Sequence, residues 1–461
     1  MNIFQLRSGI TIFIFMVNIV MATTNSTITT DVPALYFTPV MFGAKGDGVT
    51  DDTDAFNAMD AQLAIAKGPV HVHIPAGIFM VNPLRTPLRE LAPGIIRRKC
   101  LIWLRNDYSK VTCDGVIKVL KGPDYTTGMK IGTEWYWAAV LIRANYCTVD
   151  GLNFSGNGTG TYRGWIAKQA NLRWEGVSAL GTSDHKTFHV GNKAVNCTII
   201  EGGGQAMGWQ FQKQALIANN IFQDSSGAGF SYCEDSILMG NTATRSHDAP
   251  FIANGRCNNI VIANNTSKHT TNGSGIDVVG CSNVIVKGNI IEESAGWGLL
   301  VSYSVQQQCA SRDILVTGNI FKKNCREISV PMHGEICVGS PYTERDLNAA
   351  NVVVSDNMII MDGSRNKNTG RFLVVGHGVK QLTVKDNFIS GKSNGQKQAL
   401  VALLPTRNVM ITGNQWSGEG IVNIDLSGGI QGERTVTNNF KMTCVSNDVS
   451  TKQGLINDSE K

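Results

Sequence analysis

A short pattern recurs along most of this 461-residue chain: a run of alternating apolar residues that ends in Asn or Gly before a β-branched or apolar residue. Most copies lie roughly 20–30 residues apart, a period that is typical of solenoids. The alternation predicts β-strands, and the spacings of three and four that a helical repeat needs are absent. The copies begin at Cys147, Leu172, Lys193, Leu216, Ser236, Ile260, Val284, Ile314, Val352, Leu382, Val409 and Arg434.

Each copy predicts one coil made of strand, turn and strand. A β-sandwich or barrel would not keep one period over about 300 residues. The predicted fold is therefore all-β: a single-stranded right-handed parallel β-helix of about 12 coils, stacked at ~4.8 Å. The Asn or Gly fits a corner with positive φ, and Asn side chains on successive coils are expected to form a hydrogen-bonded ladder. A content of 49 glycines and only 17% charged residues agrees with many tight turns.

The stretch from Met41 to Phe56 holds three glycines and four aspartates. Its glycines match no phosphate-binding loop, and its aspartates lack the order of a calcium loop. The open end of a solenoid exposes apolar core and needs a cap. The stretch predicts such a cap, with a helix from about Asp54 to Ala66 that Thr50 or Thr53 would N-cap. The apolar stripe of this helix would be Phe56, Met59, Leu63 and Ala66.

The segment Met41–Val81, which reads "FGAKGDGVTDDTDAF" and then "HIPAGIFMV", resembles the N-terminal signature of the pectate-lyase superfamily of β-helix proteins. That group includes phage tailspikes, capsule depolymerases and mannuronan epimerase-like enzymes. The resemblance implies a tailspike-like enzyme that degrades a bacterial capsular or exopolysaccharide, as a glycoside hydrolase or a lyase. A secreted uronate lyase or C5-epimerase and a non-catalytic glycan-binding β-helix are the alternatives, because the signature marks the cap and not the catalytic site.

The strongest candidate site combines acids from neighbouring coils. Glu234 and Asp235 follow one outward strand, His247 and Asp248 precede the next, and Asp277 lies within a strand one coil later. Hydrolysis needs two carboxyl groups that flank the glycosidic bond. Elimination or epimerisation needs a base for the C5 proton and a group that neutralises the uronate carboxylate.

An alignment of four strands on their first residue predicts which side chains point outward, because side chains alternate along a strand. The residues predicted to face inward are Phe230, Phe251, Ile276 and Leu299, and the residues predicted to face outward are Ser231, Ile252, Asp277 and Leu300. Asp277 is the most informative, since an acid inside "GIDVVG" interrupts an otherwise apolar strand.

Two smaller clusters, "SDHKTFH" and "PMHGEI", carry further bases and acids, although isolated histidines are usually structural. Aromatic side chains are candidate sugar platforms, with an aromatic core stack as the alternative, especially for Trp165 and Trp209. The predicted substrate-binding residues are Trp135, Trp137, Trp297, Tyr303, His185, His333 and Glu335.

The 11 cysteines occur singly and in an odd number, which favours neither a disulfide framework nor a zinc site. No metal or other cofactor is predicted, except calcium if the enzyme is a lyase. The net charge of +5 is compatible with an acidic polysaccharide, and the absence of a dense basic stretch argues against nucleic acid as a partner.

Residues 1–22 have the pattern of a secretion signal or of a start assigned too early, with Met21 as the true start. The remaining predicted segments are an N-terminal arm (23–40), the cap (41–100), the β-helix (101–445) and a polar C-terminal tail (446–461). The predicted location is extracellular or on a virion, where the arm would attach to a phage particle or tail protein. The short tail leaves a homotrimer open.

Overall fold

The computed structural model describes residues 34–92, 96–123, 125, 134–159, 171–181, 187–326, 334–339, 347–361, 371–376, 378–392, 400–419, 422–439 and 442–445. In these ranges the paired strands are parallel, apart from the antiparallel hairpin Leu88–Ala92 and Ile96–Leu104. Each coil adds one strand to each of up to three faces, which we call faces A, B and C. The predicted parallel β-helix is confirmed.

Face C is a separate sheet of thirteen strands, close to the predicted number of coils. Its strands are Asp47–Asp51, Ile78–Val81, Val116–Val119, Asn153–Ser155, Thr198–Ile200, Ile221–Gln223, Thr242–Thr244, Thr266–Lys268, Ile290–Glu292, Ile320–Lys322, Met358–Met361, Phe388–Lys392 and Gln415–Glu419.

Faces A and B join at their shared corner into one sheet of 28 strands. Face A contains Ile96–Leu104, Glu134–Ile142, Asn171–Leu180, Gln205–Gln210, Ser226–Ser231, Phe251–Asn254, Ile276–Val279, Leu299–Ser302, Ile336–Val338, Leu373–Val375 and Met442–Val445. Face B contains Leu35–Phe37, Val70–Ile74, Lys110–Cys113, Thr148–Asp150, Lys193–Val195, Leu216–Ala218, Glu234–Met239, Asn258–Ala263, Ser282–Lys287, Ser311–Thr317, Ala349–Ser355 and Val379–Lys385. The short strands His189–Val190 and Gln212–Lys213 lie at the corner, and Leu400–Thr412 and Val422–Thr437 run through both faces.

Alternation of side chains explains the single core that runs along the stack. In the strand Ile276–Val279, Ile276 and Val278 are fully buried and the residues between them point away from the core. The four residues predicted to face inward, Phe230, Phe251, Ile276 and Leu299, all lie in this core. The in–out assignment from the sequence is therefore confirmed.

The predicted register between two of these coils is wrong by two residues. Ile252 pairs with Gly229, and Ser231 pairs with Asn254. A shift of two residues keeps every side chain on its predicted face but changes its neighbours. Gly229, rather than Ser231, therefore lies in line with Ile252 and Asp277.

The predicted asparagine ladder is present between faces B and C. Each side-chain amide donates to the carboxamide oxygen of the next coil at 2.9–3.0 Å. The positive φ occurs one residue earlier, as at Gly240 before Asn241 and Asn264 before Asn265. The ladder consists of Asn220, Asn241, Asn265, Asn289, Asn319, Asn357, Asn387, Asn414 and Asn439.

The predicted cap helix spans Thr53–Ile65 and buries Phe56, Met59 and Leu63 against the first coils. Its N-cap is Asp52, not Thr50 or Thr53. The Asp52 carboxylate instead accepts hydrogen bonds from the backbone N–H of Lys45 and Gly46, at 2.7 and 3.1 Å. This aspartate therefore holds the glycine turn against the helix.

The stack of coils already begins inside the segments predicted as arm and cap. Leu35–Phe37 pairs with Val70–Val72, and Asp47–Asp51 pairs with Ile78–Met80. The cap helix is tied to the first face A strand by Arg105, which donates to Asp60 at 3.0 Å. Residues 1–22 and 446–461 lie outside the described residues.

The ten cysteines whose side chains are described are free, and eight of them are buried. The buried cysteines therefore pack as small apolar residues. In the described part of the chain, no helix has the length and apolarity that a membrane span requires.

Candidate active site

The outward side of face A carries a central column of side chains, one from each coil, because parallel strands stack in register. Its members, in order along the stack, are Leu141, Ser178, Gly208, Gly229, Ile252, Asp277, Leu300 and Cys337. Asp277 is the acid of this column, as the sequence predicts.

Asp277 lies in an environment that disfavours its charge. Asp277 as a whole is partly exposed. Its carboxyl oxygen Oδ1, however, is inaccessible to solvent and has no hydrogen-bond partner. The pKa of Asp277 is raised to about 7, mainly by burial and also by the nearby Asp248, while a hydrogen bond with Ser274 opposes the rise. A carboxylic acid that titrates near neutrality is suited to give or take a proton.

Asp248 is the second carboxyl group of this site. Its Oδ1 accepts a hydrogen bond from the backbone N–H of Ala249 at 2.8 Å. The same oxygen lies close to Gly273, since a Cβ atom added at that glycine would be only 2.6 Å from it. Gly273 precedes Ser274, the hydrogen-bond partner of Asp277. The structure thus brings Asp248 and Asp277 together, as predicted, and the chain between Gly273 and Asp277 links them.

The other three residues of the predicted cluster lie at the edges of face A. Glu234 and Asp235 occupy the corner toward face B, where both pair with Lys213 at 3.4 and 3.5 Å. Asp235 also accepts from the side chain of Asn259 at 2.7 Å. These contacts place both acids in ion pairs at the corner, and their membership of the catalytic centre stays a prediction.

His247 precedes Asp248 and is half-buried. The pKa of Asp224 is lowered mainly by hydrogen bonds from Arg245, with a smaller contribution from His247. His247 is therefore near Asp224, on the corner between faces C and A, and its catalytic role stays a prediction.

Two of the predicted sugar platforms are wrong because their rings are covered. Trp137 is fully buried in the core, where its ring packs against Trp174 and Phe154. Trp297 is only 5% exposed and packs outside the main core with Cys325 and Cys337. Neither ring presents a face to a polysaccharide.

Glu335 is also a structural residue. It is 4% exposed, and its carboxylate accepts hydrogen bonds from the backbone and side chain of Asn324, the latter at 2.6 Å. The prediction that Glu335 contacts substrate is not supported. Tyr303 is partly exposed just after the strand Leu299–Ser302 and stays a prediction.

Three predicted residues cannot be placed. His185 and His333 lie outside the described residues, and the side chain of Trp135 does as well. Trp209, the alternative core residue of the sequence analysis, is fully buried against Phe230.

Sequence reasoning missed a pair of outward residues below Asp277. The side chain of Gln205 lies over two glycines of the central column. A Cβ atom added at Gly229 would be 2.2 Å from its Nε2, and a Cβ atom added at Gly208 would be 3.3 Å from its Oε1. Glu175, which is 2% exposed, lies one coil below Gln205 and also borders Gly208. The signal in the sequence is a glycine at the same outward position of two successive strands.

Residues 137–321 match the model of the right handed beta helix region. The chain therefore has the fold of a right-handed parallel β-helix. The matched residues include Asp248, Asp277 and the two glycines beneath them. No group of metal-binding side chains is found among the described residues of this β-helix.

One curated relative is similar in sequence to part of this β-helix. It is the mannuronan C5-epimerase AlgE1 of Azotobacter vinelandii, 27% identical over 202 residues. The match covers 41% of this chain and 14% of that relative. It therefore spans about one seventh of the curated relative's length.

Solved structures with similar folds include three polysaccharide-related proteins. The AlgE4 A-module of A. vinelandii has a TM-score of 0.55 at 16% identity, covering 89% of this chain and 97% of its own. The catalytic unit of an α-1,3-glucanase from Streptomyces thermodiastaticus has a TM-score of 0.57 at 16% identity, with coverages of 91% and 71%. A tailspike of Escherichia coli bacteriophage HK620, in complex with a pentasaccharide, has a TM-score of 0.60 at 12% identity, with coverages of 89% and 74%. At these identities the likeness shows the fold alone.

Proposed function

We propose that this β-helix protein is an enzyme that acts on a bacterial capsular or exopolysaccharide and cleaves it by hydrolysis. The observation that carries the proposal is the pairing of Asp277 with Asp248 on the outer surface of face A, where one carboxyl oxygen of Asp277 is buried without a partner. The solved structures named above add support, since they include a glucanase and a tailspike bound to an oligosaccharide.

The two carboxyl groups suit the two roles in glycoside hydrolysis. A general acid must hold its proton at the working pH, and the raised pKa of Asp277, about 7, provides that. The proton would pass from Asp277 to the glycosidic oxygen of the leaving sugar. Asp248 is then the second carboxylate, which activates water or attacks the anomeric carbon.

The test is a polysaccharide panel with two readouts. Hydrolysis releases reducing ends without new ultraviolet absorbance, whereas elimination creates an unsaturated sugar that absorbs. The proposal expects reducing ends only. Binding without either signal on any polymer of the panel would favour a non-catalytic glycan-binding protein instead.

A uronate lyase or C5-epimerase is the second candidate, because of the sequence similarity to AlgE1. In that case Asp277 would act as a base that removes the C5 proton. Calcium is proposed as a cofactor only for a lyase. Deuterium incorporation at C5 from heavy water, without chain cleavage, would identify an epimerase.

We also propose that the protein works outside the cell or on a virion, where its polymer substrate is found. Attachment to a phage particle or tail protein, and assembly as a homotrimer, are further proposals that the fold of the HK620 tailspike supports only by analogy. Light scattering of the purified protein tests the trimer. N-terminal sequencing of the native protein tests secretion, which predicts a start after Ala22.

A further inference from the structure

The proposed site is lined by two kinds of outward side chain. Neutral amides and hydroxyls flank the central column, and the acids lie within it or beside it. On the coils from Asn171–Leu180 to Ile276–Val279, the neutral polar residues that are partly exposed on this side are Gln205, Gln210, Ser231 and Asn254, whereas Ser178, Ser226 and Ser274 are buried.

The titratable side chains described on the same outward positions are carboxyl groups. Glu175 lies on the lower coils, and Asp277 lies four coils higher, with Asp248 beside it. At the two edges of face A, Lys213 and Arg245 are each paired with acids, and Arg256 donates to the backbone oxygen of Gln307. Lys213 contacts Glu234 at 3.4 Å, and Arg245 contacts Asp224 at 2.7 Å.

The side chain of Gln205 lies over the central column of face A, between Glu175 and Asp277 along the stack. Its carboxamide occupies the space that side chains at positions 208 and 229 would otherwise fill. An amide provides two N–H donors and one oxygen acceptor, which match the hydroxyl and acetamido groups of neutral sugars. Ser231 and Asn254, hydrogen-bonded to each other, continue this polar surface on one side.

A sugar carboxylate would fit this surface less well than a neutral sugar group. It would be placed near the second carboxyl group, Asp248, and next to the poorly solvated Asp277 in a partly desolvated site, which is unfavourable. Proton removal beside a uronate also needs a group that neutralises its carboxylate. The described outward side chains of face A supply acids and amides for that position rather than a cation.

We propose that the polysaccharide bound along face A is uncharged, a polymer of neutral hexoses or N-acetylamino sugars rather than a polyuronate. This inference rests on the proposed function and decides which substrate class the site takes. The chain would lie parallel to the stack of coils, with Gln205 contacting sugar units beside the one that Asp277 protonates. Three coil intervals at ~4.8 Å, from Gln205 to Asp277, provide roughly 14 Å of surface.

The first test compares polymers that differ only in charge. Alginate and its carboxyl-reduced derivative are incubated with the full chain, next to dextran, pullulan and a galactomannan, and bond cleavage and binding are measured. We expect binding to the carboxyl-reduced polymer to exceed binding to alginate at least tenfold at neutral pH and low salt. Preferential binding or turnover of alginate would overturn the inference and leave the proposed polysaccharide enzyme intact. Failure to bind or cleave any polymer of the panel would overturn both.

The second test addresses the Gln205 contact. Gly229→Ala places a methyl group on the Gln205 amide while the backbone conformation stays accessible to alanine. Both Gly229→Ala and Gln205→Ala should raise KM, or the Kd for the best neutral polymer, about tenfold with little change in kcat. Gln223→Ala, an outward amide on face C, is the matched control and should keep KM. Unchanged KM in both face A variants, with unfolding transitions like that of the wild type, would contradict the role of Gln205.

Discussion

Asp277 occupies a position where a carboxylate is unfavourable and where a hydrophobic residue would serve the fold better. The neighbours in its column, Ile252 and Leu300, are apolar. A buried oxygen without a partner is a cost that folding alone does not explain. Residues whose pKa is strongly perturbed by burial and by a like charge are concentrated at functional sites.

Asp277→Asn should lower kcat by about 10²–10⁴, the usual contribution of a general acid or base. Asparagine keeps the shape of the side chain and removes the proton, so the fold should remain. Steady-state release of reducing ends measures the change. Asp313→Asn, an aspartate at an exposed corner that bonds Asn351, is the matched control and should stay within about twofold of the wild type.

Asp248→Asn should have a similar effect, and the double variant should be little worse than either single variant, because the two groups act together. Full activity in Asp277→Asn combined with loss in His185→Ala would contradict this site. The catalytic centre would then lie near the cluster at His185.

The raised pKa of Asp277 also predicts how stability depends on pH. The folded protein keeps this proton up to a pH of about 7, whereas the unfolded chain loses it near the ordinary value of 3.8. The free energy of unfolding therefore falls as pH rises from about 4 to 7 and is then level. The difference corresponds to at most about 4 kcal/mol, and to roughly 1–2 kcal/mol once partial exposure is allowed for.

Asp277→Asn removes this titration. It should raise Tm relative to the wild type at pH 8 and leave Tm nearly equal at pH 4, where the aspartic acid is neutral in both states. Calorimetry at the two pH values measures the effect. An equal or lower Tm of the variant at pH 8 would show that the carboxylate is well solvated.

At the scale of the element, two adjacent residues have different roles at each corner between faces B and C. A residue with a φ of 54–67°, such as Gly240 or Asn264, turns the chain, and the asparagine that follows enters the ladder. In this buried row, the Oδ1 of Asn265 accepts from both the backbone N–H and the side-chain amide of Asn241 on the preceding coil. This is why the sequence repeats the pair rather than the asparagine alone.

Asn289→Ala should lower the free energy of unfolding by about 3 kcal/mol, since it leaves buried donors and acceptors of two neighbouring coils unpaired. Asn289 accepts from the Asn265 amide at 3.0 Å and donates to Asn319 at 2.9 Å. Urea unfolding measures the change. Thr242→Ala, exposed on face C, should cost less than about 0.5 kcal/mol, and similar costs for both variants would argue against the ladder.

At the scale of the whole molecule, the stack of coils is a quasi-one-dimensional structure in which each coil contacts mainly its neighbours. The cap helix closes one end by burying Phe56 against Phe79, with ring centroids 5.9 Å apart. The site on face A lies many coils away, around the strands Phe251–Asn254 and Ile276–Val279. Damage to the cap should therefore reach the site weakly.

Phe56→Asp should cost roughly 3–5 kcal/mol locally, because it removes a buried ring and introduces a buried charge. Hydrogen exchange should accelerate in the first coils, from Val70–Ile74 to Ile96–Leu104, while the strand Ile276–Val279 keeps its protection. Mass spectrometry of exchanged peptides measures both regions. Uniform loss of protection along the chain would show that the molecule unfolds as one cooperative unit.

The sequence by itself determined the coil, the cap helix, the ladder and the outward direction of Asp277, because alternation and corner chemistry are local properties of a strand and its turn. It did not determine which residues of neighbouring coils are adjacent. That register depends on corner loops of unequal length, and a slip of two residues, as between Ser231 and Gly229, leaves the apolar pattern unchanged. Only the tertiary structure decided that Trp137 is covered and that Gln205 lies over two glycines. Packing between coils also isolates one oxygen of Asp277, and desolvation of that kind arises only when distant parts of the chain meet.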